Sequence, residues 1–92
     1  MIYMFLAQGF EEVEALCPLD LCRRAGIKIT TVGVGGVDIR GSHGITVKAD
    51  ISDEEFNSVF DPADLSGVIL PGGMPGTENL YSSPAVTHAV KV

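Results

Sequence analysis

The chain is poor in positive charge. Its 92 residues carry 6 lysines and arginines against 12 aspartates and glutamates, for a formal net charge of −6 at pH 7. No basic stripe can track a phosphate backbone, which argues against nucleic acid as a partner. The same shortage argues against electrostatic attachment to a membrane surface. Long hydrophobic runs are also missing. The apolar start, Met1-Ile2-Tyr3-Met4-Phe5-Leu6-Ala7, is brief, lacks a positive flank and is soon followed by acid. It reads as a strand, not as a signal peptide or a membrane span. Cysteine is scarce: Cys17 and Cys22 lie five apart in a stretch that reads as helix. That spacing is about 140° around the axis, so the pair faces apart and makes a poor disulfide. A reducing, cytoplasmic compartment fits best. No zinc spacing, P-loop, G-x-S-x-G elbow or kinase motif occurs, and neither metal nor cofactor is expected. No repeat or flexible linker divides the chain, which reads as one domain or a piece of one. A chain this short buries only about 60–65% of its unfolded surface, so its stability alone is marginal.

What is present is an alternation of strand and helix patterns, the mark of an α/β sheet. Met1 to Leu6 reads as the first strand and Ala7 to Phe10 as a turn. Glu11 to Ala25 reads as a helix, with acid at its start, Arg23-Arg24 at its end and Gly26 as its stop. Pro18 inside it removes the N–H that would bond the Glu14 carbonyl, so a kink or loosening is expected there. Ile27 to Val34 is β-branched and reads as the second strand. Gly33-Val34-Gly35-Gly36 follows, but a dinucleotide fingerprint needs a helix next. The residues after it alternate and turn like strands, with a small β-excursion around Gly41-Ser42-His43-Gly44, so this glycine loop reads as structural. Ser52 and Glu55 form a capping-box pattern that opens a short helix. Asp61 to Asp64 reads as a turn, Val68 to Leu70 as a central buried strand, and Met74 to Tyr81 as a loop with a Pro75-Gly76 turn. Pro84 to Val92 reads as a last helix with proline in its first turn.

The chemistry gathers at two turns. Gly67-Val68-Ile69-Leu70 runs into Pro71-Gly72-Gly73, and such a turn lets bare backbone N–H groups face a ligand at the carboxyl ends of the strands. Gly72 and Gly73 are candidate donors to an oxyanion. The acidic turn Gly9-Phe10-Glu11-Glu12-Val13-Glu14 opens onto the same edge. Glu14 is the candidate acid, because apolar neighbours would desolvate it and raise its pKa. Glu11 and Glu12 read as surface residues that complement the helix dipole. Cys17 and Cys22 lie in the wrong context for an activated thiol and read as packing residues. Neither His43 nor His88 has a metal-ligand partner at a recognisable sequence spacing, and both read as structural or exposed.

Four segments, taken in order and spacing, resemble one family. They are Ala7 to Glu14, Pro18 to Gly26, Gly41 to Ile45, and Leu70 to Gly76. Together they resemble the N-terminal half of the ThiJ/PfpI superfamily, in the branch of ThiJ-like proteins and the parkinsonism-associated deglycase. The resemblance implies a flavodoxin-like three-layer sandwich with a parallel central sheet, in which residues 1–92 form the N-terminal portion of a single domain. It implies a cysteine nucleophile on a strand-to-helix elbow, with Glu14 protonated and bonded to its sulfur and Gly72 and Gly73 beside the oxyanion. That elbow lies beyond the Leu-Pro-Gly-Gly turn, after a further helix and strand, and neither Cys17 nor Cys22 matches it. Arg24 and His43 match positions near the family's dimer face. The implied activity is glyoxalase-like or deglycase-like action on small aldehydes or glycated substrates. The implied partner is a second copy, or a second chain carrying the C-terminal half. Alternative readings are a chaperone or redox-sensing stress module acting through an exposed apolar face, or the thiazole-phosphate step of thiamine biosynthesis attached to the ThiJ name.

Overall fold

The computed structural model describes residues 1–74 and 76–91. Elements follow in the order β1 (Ile2–Leu6), α1 (Glu12–Arg24), β2 (Ile29–Gly33), β3 (Asp38–Arg40), β4 (Thr46–Lys48), β5 (Ile51–Ser52), α2 (Asp53–Val59), β6 (Gly67–Ile69), α3 (Gly76–Tyr81) and α4 (Pro84–Lys91), with a 3-10 turn at Pro62–Asp64. Four strands form a sheet in the order β5-β2-β1-β6. Every pairing in it is parallel, with Met4 opposite both Thr31 and Ile69. The β-excursion is an antiparallel pair, β3 against β4, with Ile39 opposite Val47.

The alternation along β1 divides the core. Tyr3, Phe5 and Ala7 join Val32, Phe56, Leu80, Ala85 and Val86 on one side. Met4 and Leu6 join Phe10, Ala15, Leu19, Ile29 and Ile39 on the other. Successive side chains of a strand point to opposite faces, so a strand apolar at every position must be covered twice. Helix α1 and the hairpin cover one face; α2, α3 and α4 cover the other. This is the three-layer sandwich.

Helix α1 runs unbroken across Pro18. It ends as Gly26 and the residue after it close two bonds back into the last turn, from Gly26 N–H to Arg23 O at 3.2 Å and from Ile27 N–H to Cys22 O at 2.9 Å. Gly26 takes φ +75°, which glycine adopts without a Cβ penalty. The second strand is shorter than its apolar pattern, because Ile27 is used in this stop. Ser52 caps α2 through its Oγ, which accepts from Glu55 N–H at 3.2 Å.

Two readings change. Residues 76–81 form helix α3 rather than a loop; Thr77 N–H reaches Gly73 O at 2.8 Å and starts the turn. Pro75, half of the expected Pro75-Gly76 turn, and Val92, the expected end of the last helix, lie outside the described residues. Strand β6 is half-buried rather than fully buried. Among the described residues it pairs with β1 alone, so it forms an edge of the sheet.

Candidate active site

The chain leaves β1 in one direction to build β2 and β5 and later returns to place β6 on the other side of β1. The winding of the sheet therefore reverses between β1 and β6, and open α/β sheets bind ligands at the carboxyl ends of the strands beside such a reversal. The two turns singled out in the sequence are the loops after β1 and β6.

Backbone bonds stitch them together. Glu11 N–H donates to Gly72 O at 2.8 Å, and Gly76 N–H donates to Gly9 O at 3.2 Å. Glu11 caps α1, its two carboxylate oxygens accepting from Val13 N–H at 3.1 Å and Glu14 N–H at 3.0 Å. That cap fixes the first turn of the helix and hence Glu14. Glu14 Oε1 accepts from Gly72 N–H at 3.2 Å. Gly73 takes φ +103°, and a Cβ there would lie 2.6 Å from Glu11 N and 2.8 Å from Gly9 O. Glycine at 73 is required twice over, by dihedral and by close approach. At Gly72 a Cβ would meet a Glu14 carboxylate oxygen at 2.8 Å.

The structure thus brings Glu14, Gly72 and Gly73 together at one edge of the sheet. The expected desolvation of Glu14 is not met in this chain: its side chain is exposed. The buried stripe of α1 is Glu12, Ala15 and Leu19, so positions 13, 14 and 17 face away from the core. Cys17 is accordingly exposed rather than packed, whereas Cys22 packs against the α1-side core. His88 meets the Phe60 ring edge-on at 5.4 Å. Arg24 pairs with Asp20 at 2.9 Å, one helical turn away.

Glu12 also departs from the sequence reading. It is 3% exposed, not a surface residue. Its Oε2 accepts from His43 N–H at 2.9 Å and Ile45 N–H at 3.2 Å, and its Oε1 lies 3.0 Å from His43 Nδ1. Burial alone would raise its pKa, but bonds from the His43 ring and from backbone N–H groups outweigh it and lower the pKa from 4.5 to about 2. The Glu12 carboxylate in turn raises the His43 pKa, first by hydrogen bond and then by charge. Glu11, Glu12 and His43 place donor atoms within 4.8 Å of one another. Those of Glu12 and His43 already bond to each other and to the loop, which leaves a self-satisfied cluster. The available signal was helical spacing: Glu12 stands three and seven residues before Ala15 and Leu19, on the apolar stripe.

Comparison with known proteins follows the same lines. The model of the DJ-1/PfpI family matches residues 1–92. The chain is 39% identical over 89 residues to the zebrafish (Danio rerio) Parkinson disease protein 7 homolog, covering 96% of this chain and 46% of that protein. It is 31% identical over 72 residues to a deglycase of Thermococcus kodakarensis, covering 78% and 41%. Among solved structures, a mutant of a DJ-1 superfamily protein from Salmonella typhimurium matches with a TM-score of 0.85 at 34% identity, over 98% of this chain and 47% of that one. Oxidized DJ-1 of Toxoplasma gondii matches with a TM-score of 0.83 at 31% identity, over 98% and 47%. The chain therefore spans less than half the length of these relatives.

Proposed function

This chain belongs to the DJ-1/PfpI family, and on that premise we propose that it supplies one side of a cysteine-dependent site for reactive aldehydes or glycation adducts. Residues 1–92 are then the N-terminal portion of a single domain, and the nucleophilic cysteine comes from the remainder, in the same polypeptide or in a second one. The observation that carries this reading is the Glu14 Oε1 to Gly72 N–H bond at the carboxyl ends of β1 and β6. A carboxyl group held beside a glycine backbone supports a site at which a thiolate and a carbonyl meet.

In the proposed chemistry the thiolate sulfur forms a bond to the aldehyde carbon, and the carbonyl π pair moves to oxygen. Gly73 N–H has no acceptor among the described residues and is the first donor available to that oxyanion. Gly72 N–H can join it by exchanging the Glu14 carboxylate for substrate. Glu14, in its protonated form, donates a hydrogen bond to the thiolate and then passes that proton to the oxygen, so that a hemithioacetal forms and a carboxylate is left, with no change in oxidation state.

Two surfaces support partners. An apolar groove of about 500 Å³ beside β6, lined by Leu70, Pro71, Leu80, Tyr81, Val86 and Val90, suits the proposed remainder of the domain. Val13 and Leu21 expose 69% and 60% of their surface on α1, which suits a homodimer face. Among the described residues no helix is long and apolar enough to cross a membrane. A redox-sensing role is the second reading, favoured by the oxidized state of the T. gondii relative, since the same thiolate would be sensitive to oxidants.

The test is Glu14→Leu in the complete protein. Loss of the carboxyl should raise the pKa of the reactive cysteine, read from the pH profile of its alkylation, and slow aldehyde turnover by about 10²-fold or more. An unchanged thiol profile and an unchanged rate would remove Glu14 from the mechanism.

A further inference from the structure

The residues Gln8 to Glu11 form a two-sided junction. On one side, Gly9 N–H donates to Arg40 O at 2.8 Å, Ser42 N–H donates to Phe10 O at 2.8 Å, and the Gln8 side chain accepts from Arg40 N–H at 3.0 Å. On the other side, Gly9 O accepts from Gly76 N–H and Glu11 N–H donates to Gly72 O. The β3–β4 hairpin and the Pro71–Gly73 loop never need to touch; both hold the same short backbone.

Glu12 locks the hairpin side of this junction. Its carboxylate is buried, yet it takes two backbone N–H groups and one ring nitrogen from the Gly41–Ile45 turn. A Cβ on Gly41 would fall on the Glu12 carboxylate, so the turn wraps it with no room left. A buried acceptor bonded this fully is costly to disturb, because its donors would be left unpaired.

We propose that Glu12 is a positioning residue: by clasping the Gly41–Ile45 turn it fixes the Gly9–Glu11 backbone, and that backbone sets the Gly72 peptide against Glu14. This inference rests on the reading of Glu14 and Gly72 as site residues. It adds a residue that touches no reactant and acts through the backbone. His43 is an auxiliary part of the clasp, its ring 70% exposed but its Nδ1 on Glu12.

The test is amide hydrogen exchange in the assembled protein, comparing wild type with Glu12→Gln. The variant keeps the shape but presents a neutral side chain to the donors. Exchange should rise about tenfold at Glu11 and Gly76, the amides that cross to the other loop, as well as at His43 and Ile45, while the β1 and β2 amides stay unchanged. Acceleration confined to His43 and Ile45 would overturn the proposal, because Glu12 would then hold only its own turn. Uniform acceleration throughout the protein would also overturn it, since the effect would be global stability. Should Glu12→Gln not fold, His43→Ala decides. It removes one bond at an exposed position and should raise exchange at Glu11 and Gly76 by about two- to threefold; no change there would overturn the proposal. The exchange readout needs no catalysis. A Glu14→Leu enzyme with normal thiol reactivity would sink the proposed function and leave the exchange result standing.

Discussion

A single acidic turn carries three glutamates with three different tasks. Glu11 caps the helix, Glu12 is buried in a clasp, and Glu14 accepts from Gly72 N–H. The Glu12–His43 pair makes the clasp depend on pH. Glu12 has a lowered pKa, so its contribution is present above the ordinary value of 4.5 and is lost as pH falls toward about 2. His43 has a raised pKa, so its contribution is complete below 6.5 and is lost as pH rises through the raised value. The two overlap fully between 4.5 and 6.5. Wild type should therefore exceed His43→Ala in urea midpoint most clearly in that window, with the gap closing in alkaline solution. A gap that widens on going alkaline would contradict the assignment. The place of Glu14 on the same edge as the Gly72 turn could be read from the sequence, but the clasp of Glu12 could not. Its partners are backbone N–H groups more than 30 positions away, and only the helical stripe with Ala15 and Leu19 hinted at burial.

At the scale of elements, local signals and their outcomes agree where the chemistry is local. Ser52 caps α2, and Gly26 stops α1. Ser52→Ala should cost about 1 kcal/mol, measured by denaturant unfolding. Phe56, on the same helix, is fully buried and meets Tyr3 and Phe5 edge-on at ring-centroid distances of 4.9 and 5.1 Å, and stacks on Phe60 at 4.6 Å. Phe56→Ala should cost about 3–5 kcal/mol, enough to unfold a marginal domain, and a midpoint close to wild type would refute this account of the core. Where neighbours decide, the sequence was less legible. Pro18 lies inside α1, and the helix continues past it, anchored on both sides of the proline by Ala15 and Leu19 in the core. The Gly76–Tyr81 helix was hidden because its start is set by Gly73 O and Gly9 O, one from a turn and the other from a distant loop.

The whole molecule is a parallel sheet covered on both faces, with β6 at one edge among the described residues. The parallel sheet and its two covered faces were legible from β1, whose every residue is apolar, and from the alternation of strand and helix. The edge position of β6 was not, because a run of apolar residues looks the same whether its second neighbour is present or not. The exposed Leu70 and Met74 and the groove beside α3 and α4 mark that edge. The central claim is that Glu14, Gly72 and Gly73 form one side of a site whose cysteine lies elsewhere. The most direct measurement fractionates the active protein under native conditions, follows consumption of a small α-oxoaldehyde such as methylglyoxal, and determines the intact denatured mass of every polypeptide in the active fraction. The account predicts that activity always accompanies a longer chain, or a second one, that carries a further cysteine. Full activity from the 9.7 kDa chain alone would contradict it.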